Sequence, residues 1–335
     1  MRLRKMRWFI QKHGNTKTQK HKNTSPPPTN SSAGQKQEFE GVTYTVEELT
    51  ELSFGDVDIA LFSAGGSISK RLGPVAAAAG AVVVDNSSAF RMADGVPLVI
   101  PEVNPAAMAH VRLGMPGGAI VANPNCSTII ALMAVTPLRA AAGGLKRMVV
   151  STYQAASGAG AAAMDELREQ TRDVLEGRPA VPVIFPTPYA FNLFSHNSAV
   201  DQESGYNEEE LKLVKETRKI WGDDSVRVAA TCVRVPVMRA HAESINLELA
   251  GPLSVEAARA ALEAFPGVTV IDDRAANRFP TPLDATTRDD VYVGRVRRDV
   301  SRDDERGLEI FVCGDQIKKG AALNAVQIAE LVLKN

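Results

Sequence analysis

Residues 57–88 read VDIALFSAGGSISKRLGPVAAAAGAVVVDNSS. The run VDIALFSAGG reads as a buried strand that ends in glycines, KRLGPVAAAAG as a short helix, and AVVVDNSS as a second strand. Short apolar runs alternating with helical patterns predict a parallel sheet with right-handed crossovers. Downstream, NPAAMAHV predicts a helical turn and AIVANPNC a further strand. Ligands on such sheets bind at the carboxyl ends of the strands. Both SAGGS and NPNCS occupy that kind of position.

Beyond Leu145 the pattern changes. The stretch LKRMVVSTYQAASGAG predicts a strand and a Gly/Ser turn, and AAAMDELREQTRDVLEG an amphipathic helix. An irregular piece, RPAVPVIFPTPYAFNLFSHNSAV, leads to the helix NEEELKLVKETRKIWG. Longer strands follow in VRVAATCVRVPV, AESINLELAG, VYVGRV and LEIFVCGD, which predict a mixed or antiparallel sheet covered by helices. The last segment, GAALNAVQIAELVLKN, predicts a helix that returns to the first domain.

A chain of 335 residues is long for one core, so two domains are expected. No apolar run is long enough to span a bilayer, so a membrane protein is not expected. The three cysteines, Cys126, Cys232 and Cys313, form no CxxC pair. That pattern argues for a reducing compartment and against a structural zinc site. A cytoplasmic location is expected, with no metal. The formal net charge of -1 hides an asymmetry, because residues 1–36 carry nine Lys/Arg and no Asp or Glu. Residues 1–30 are therefore expected to be a basic, disordered segment, with organellar import as the alternative. Nucleic-acid binding is not expected, since no folded basic surface follows.

The motif Asn123-Pro124-Asn125-Cys126-Ser127-Thr128 sits where a strand gives way to a helix. A thiol attacks as thiolate, and a helix N-terminus lowers its pKa. Free N–H groups of the first turn would also hold an oxyanion. The alternative is a buried cysteine filling a gap, which fits Cys232 and Cys313 in their β-branched surroundings better than it fits Cys126. Among five histidines, His241 lies between two strands beside Arg234 and Arg239. Local sequence leaves it open between a surface position and an acid/base.

These pieces, with GVTYTVEELT, VVVDNSSAFRM, VPLVIPEVN, ANPNCSTI, EEELKLVKETRKI, CVRVPVMRAHAESINLEL and GDQIKKGAALNAVQIAEL, carry a resemblance. From about Ser31 onward the chain resembles the aspartate-β-semialdehyde dehydrogenases of the bacterial type. The resemblance implies an α/β fold: an incomplete Rossmann-like parallel-sheet domain (31–125 and 320–335) and an α+β catalytic and dimerisation domain (126–319). It implies reduction of L-4-aspartyl phosphate by NADPH to aspartate semialdehyde and phosphate through a cysteine thioester, in lysine (diaminopimelate), threonine and methionine biosynthesis. A homodimer is implied as well. Cys126 matches the nucleophile, His241 the general acid/base and Gln154 the residue that orients the acyl group. Arg234 matches the arginine on the substrate α-carboxylate, where a planar fork suits the anion better than lysine would. Glu209 matches the acid facing the substrate amine. Arg91, Lys212 and Asn125 match the phosphate ligands. Ser32, Ser63, Gly65, Gly66, Ser157, Gly158, Gln316 and Asn324 match positions on NADP(H).

Family members open with a strand, a Gly-Ala-Thr-Gly-x-Val-Gly loop and a helix, and this first βα unit is not recognisable in residues 1–30. Their single glycine is Gly14, and Ser31 replaces a common arginine. Weakened NADPH binding is the expected consequence, with a misassigned start or a frameshift as the simplest origin. Two other readings stay open. One is an impaired relative that serves as a dimer partner, and the other a thiol acyl-transfer or hydrolytic enzyme without hydride transfer.

Overall fold

A computed structural model of the chain describes residues 6–10, 33–39 and 41–334. The chain divides into two compact units. The first comprises residues 1–97, 109–122 and 332–335; the second comprises 98–108 and 123–331.

In the first unit the strands are β1 (Met6–Ile10), β2 (Lys36–Phe39), β3 (Val42–Thr45), β4 (Ile59–Ser63), β5 (Val82–Asp85) and β6 (Ala119–Ala122). Its helix α1 (Gly66–Ala78) connects β4 to β5. Strands β1, β4, β5 and β6 form a parallel sheet in the order β1-β4-β5-β6, while β2 and β3 pair as a separate antiparallel hairpin. All of β5 and Ile59–Phe62 of β4 are buried, as expected for strands covered on both faces. Phe54, Phe62, Leu72 and Val83 belong to the core of this unit.

One sequence expectation is corrected here. Residues 1–30 were expected to be disordered, with the first strand missing, but Met6–Ile10 pairs in parallel register with Ile59–Ser63. The reason is local. Lysine-rich composition dominates the segment as a whole, whereas MRWFI is itself a run of strand-forming residues beside a sheet edge that needs partners.

The second unit holds α2 (Cys126–Ala141), β7 (Leu145–Gln154), α3 (Ala161–Leu175), β8 (Phe194–Ser195), α4 (Glu208–Trp221), β9 (Arg227–Arg234) and β10 (His241–Leu249). It continues with α5 (Val255–Glu263), β11 (Val268–Val270), α6 (Pro282–Ala285), β12 (Val291–Arg298), β13 (Gly307–Gly314) and α7 (Leu323–Lys334). The strands form one mixed sheet in the order β11-β12-β13-β10-β7-β9-β8. Helix α2 packs against β10 and β13 and against α4 and α5. Its residues Ser127 to Val135 are all buried, which explains why its pattern is apolar all round rather than on one stripe.

The domain boundaries differ from expectation at both ends. The switch between units falls before Asn123 rather than after Asn125, so the whole Cys126 motif belongs to the second unit. Most of the C-terminal helix belongs there too, because residues 323–331 pack with the second unit and only 332–335 with the first. The expected 320–335 return to the first domain is thus confined to its last turn.

Candidate active site

Helix α2 begins at Cys126, and Asn125 is its N-cap. Asn125 Oδ1 accepts from Ser127 N–H (3.0 Å) and Thr128 N–H (3.3 Å). Two of the first-turn N–H groups expected to hold an oxyanion, those of Ser127 and Thr128, are therefore already engaged. Asn125 is held in turn by α4. Its backbone N–H donates to Glu216 Oε2 (2.6 Å) and its Nδ2 to Glu209 Oε1 (2.9 Å). Gln154, at the end of β7, donates from Nε2 to Ser127 Oγ (2.9 Å) and to Glu209 Oε1 (3.1 Å). Asn125, Ser127, Gln154 and Glu209 thus tie together around the backbone of Cys126, whose side chain remains partly exposed.

Glu209 is buried and its other oxygen meets Lys212 Nζ at 3.1 Å, as their spacing on α4 requires. Burial alone would raise its pKa. Lys212, His196 and the two amides outweigh that and hold it down to about 2. The carboxylate is ionised at neutral pH.

The sheet register places Gln154 beside Arg234. Arg234 is 5% exposed. Its Nη1 donates to Ala155 O (3.1 Å), its Nη2 to His196 Nε2 (2.8 Å), and its Cζ lies 5.7 Å from the Phe185 ring centroid. Nε is buried without a hydrogen-bond partner. Among the described residues no carboxylate pairs with this cation. A guanidinium has five N–H donors, so most of them remain unengaged.

His241 opens β10 and is fully buried. Ala155 N–H donates to its Nδ1 (3.0 Å), which places the ring proton on Nε2, and Nε2 has no partner. Burial, then the Arg234 charge, lowers its pKa to about 3. The ring is therefore a neutral N–H donor. Ala240 just before it has a positive φ of 69°, a conformation unfavourable for a residue with a Cβ. Gln316 Oε1 holds it by accepting from Ala240 N–H (3.0 Å), while Gln316 Nε2 donates to Ser157 Oγ.

Two glycines are required by close approach. A Cβ on Gly158 would lie 3.0 Å from His241 Cε1 and 3.1 Å from Arg234 Nη1. One on Gly320 would lie 3.1 Å from Cys126 Cβ. Gly320 belongs to a π-helical turn, Lys318–Ala322, in front of α7. Lys319 in that turn is 1% exposed and donates to Glu102, to Asn324 Oδ1 (3.0 Å) and to Gln327 Oε1 (2.7 Å).

Asn324, expected at the cofactor, uses its Nδ2 on Val99 O (3.0 Å) and Asn123 Oδ1 (2.6 Å). Its amide braces the loop before Cys126 and has no donor left for a ligand. Cys232 and Cys313 are buried, and burial raises both thiols far above their ordinary value. Ser63, Gly65, Gly66 and Arg91 lie in the first unit. Arg91 Nη2 donates to Asn86 O (3.1 Å). Ser32 lies outside the described residues. Sequence reasoning missed His196 and Glu216, because an irregular segment and a polar helix face give no local sign of what they contact.

Models of the semialdehyde dehydrogenase NAD binding domain and dimerisation domain match residues 16–111 and 135–319. The chain is 52% identical over 303 residues to an aspartate-semialdehyde dehydrogenase of Synechocystis sp., across 90% of this chain and 87% of that one. It belongs to the aspartate-semialdehyde dehydrogenase family. A family member from Aquifex aeolicus is 50% identical over 90% of this chain and 87% of its own. The crystal structure of aspartate semialdehyde dehydrogenase II from Vibrio cholerae complexed with ASA superposes with a TM-score of 0.85. It shares 43% identity and covers 92% of this chain and 88% of that one. The NAD binding match starts inside the basic segment, upstream of the boundary expected at Ser31.

The family implies a nicotinamide dinucleotide. Part of the chain fits one. Ser63 and Gly65 are exposed where β4 ends, and α1 starts at Gly66 with no side-chain cap, so its first N–H groups suit an anion or a ribose hydroxyl. The segment between β1 and β2 fits poorly. Residues 11–32 contain one glycine, Gly14, and cannot supply a Gly-rich diphosphate loop.

Proposed function

We propose that the chain acts as an NADP(H)-dependent aspartate-semialdehyde dehydrogenase on L-4-aspartyl phosphate, through a thioester on Cys126, as one subunit of a homodimer. The observation that carries this reading is the buried, unpaired guanidinium of Arg234 in the same cluster as an ionised Glu209. A buried charge without a counter-charge is costly, and a ligand carboxylate would relieve that cost. Glu209 then suits the α-ammonium of the same ligand. An amino acid is the chemistry that satisfies both.

With the amino-acid end so held, Cys126 attacks the acyl carbon as the thiolate, its proton having passed to solvent, and the C–O bond breaks with phosphate leaving as the anion. Lys212 is the cation of the second unit assigned to the departing phosphate. NADPH, when bound, would supply the hydride, and release of the aldehyde breaks the C–S bond and returns Cys126 as the thiolate. The Nε2–H of His241 is suited to hydrogen-bond the acyl oxygen as negative charge grows on it. Full proton transfer at this ring requires Nδ1 to release Ala155 N–H. Gln154, already bonded to Ser127 and Glu209, keeps strand and helix in register around the reacting group.

Arg234→Lys tests the reading. A point charge cannot reproduce the planar fork, and loss of a charge-assisted bond costs about 1.5–3 kcal/mol, so affinity for aspartate semialdehyde should fall by about tenfold or more. The measurement is the concentration of aspartate semialdehyde that half-protects Cys126 from iodoacetamide. Unchanged protection would remove Arg234 from the carboxylate site.

A further inference from the structure

The geometry points to His196 as a positioning residue for substrate recognition: a neutral hydrogen-bond acceptor that fixes the Arg234 guanidinium and leaves its charge unspent for the substrate carboxylate. This rests on the reading of Arg234 given above.

A guanidinium can only donate, so the 2.8 Å contact between Arg234 Nη2 and His196 Nε2 makes Nε2 the acceptor. The ring proton then sits on Nδ1, 3.1 Å from Ser198 Oγ. Ser198 N is 3.2 Å from the same nitrogen, but a protonated ring nitrogen cannot accept, so the hydroxyl is its partner. Ser198 Oγ also accepts from Glu209 N–H (3.2 Å) in the first turn of α4. The chain Arg234–His196–Ser198 therefore runs from the guanidinium to the backbone N–H of Glu209, and so ties together the two residues assigned to the two ends of an amino acid.

The backbone fixes this link independently. Phe194 pairs with Arg234 between β8 and β9, and His196 N–H donates to Cys232 O (2.8 Å). The charged groups that face the imidazole are Arg234 from β9 and Glu209 and Lys212 from α4. Burial first, then Arg234, holds its pKa to about 4, so the ring stays neutral at physiological pH. A carboxylate at this position would instead neutralise Arg234 and compete with the substrate.

That contrast defines the experiment. Half-protection of Cys126 against iodoacetamide by aspartate semialdehyde is measured for His196→Gln, His196→Leu and His196→Glu, with KM and kcat alongside. The Gln amide oxygen can still accept, so that variant should stay within about threefold of the parent, while Leu loses one bond to a charged group and weakens about tenfold. Glu supplies an internal anion, and binding should weaken about a hundredfold. The losses should fall on KM, with kcat within about threefold of the parent, because His196 acts on binding through Arg234. If Leu proves unstable, the Gln and Glu pair still decides. A flat series, or Glu no weaker than Gln, overturns the proposal. Arg234→Lys is run in parallel. If it weakens protection while the His196 series is flat, only the His196 proposal fails; if it changes nothing, the Arg234 reading fails and this one with it.

Discussion

Glu243 sits on the same face of β10 as His241, two residues further along the strand, fully buried, with neither carboxyl oxygen hydrogen-bonded. Its cross-strand neighbour Thr152 does not hydrogen-bond it. Burial, and secondarily the negative Glu209, raises the Glu243 pKa well above 4.5. A carboxyl raised in the folded state contributes stability below its unfolded pKa and loses it as pH rises through the folded value. Glu243→Gln keeps the shape and cannot ionise. The variant should therefore match the parent in Tm near pH 4.5 and exceed it near pH 8, by melting followed with circular dichroism. A variant less stable than the parent at both values would mean that the carboxylate is ionised and paired. Such a residue is hard to find in sequence. In HAESINLEL strand alternation sets Glu243 on the face of Ile245 and Leu247 and Glu248 on the opposite face, where it is partly exposed and faces Arg227 and Arg302. Alternation does not show that the buried carboxyl lacks a partner, which depends on the segments packed over it.

At the scale of elements, the junction from β6 into α2 joins fold and chemistry most closely. Asn125 is cap, strut and neighbour of the thiol at once. Asn125→Ala removes the acceptor for two buried N–H groups and should cost about 1–2 kcal/mol, whereas Asn125→Ser retains a capping oxygen and should recover about half of that loss. Urea titration of both variants checks this, and equal losses would mean that the Glu209 strut, not the cap, dominates. Much of this element was legible in sequence. A strand running into Pro124, Asn125 and an apolar segment gave the helix start, and the resemblance gave Cys126, Gln154, Arg234, Glu209 and His241, which do gather in one unit. What stayed hidden was the use of each polar atom. The capped N–H groups, the Nδ1–Ala155 bond that sets the His241 tautomer, and the diversion of Asn324 to Asn123 and Lys319 all depend on contacts from distant segments. Spacing in a sequence carries no information on these. Strand β1 was hidden for a different reason, because five strand-forming residues were averaged into a basic surrounding.

At the scale of the whole molecule, the two units differ in completeness. The second holds Cys126, Gln154, Glu209, Arg234 and His241, to which the proposed function gives the thiol chemistry and the amino-acid end of the substrate. The first has its sheet, including β1, and an uncapped α1, but residues 11–32 offer four lysines and one glycine where a dinucleotide diphosphate needs a Gly-rich turn at a helix N-terminus. Charge-assisted hydrogen bonds contribute roughly 1.5–3 kcal/mol each, so the absence of two or three should weaken NADPH binding on the order of a thousandfold. Lysines can attract the phosphates, but a point charge on a flexible stem gives less geometric definition than fixed backbone donors. Acylation of Cys126 needs none of this. The expected outcome is a chain that releases about one phosphate per site from aspartyl phosphate, retains the acyl group on Cys126, and turns over slowly when NADPH is added. Calorimetric titration with NADPH, together with intact-mass detection of the acylated protein, tests both halves. A low-micromolar dissociation constant would show that the basic segment builds a diphosphate site of its own. Weak NADPH binding without acylation would instead place the defect in the second unit and count against the thioester reading itself.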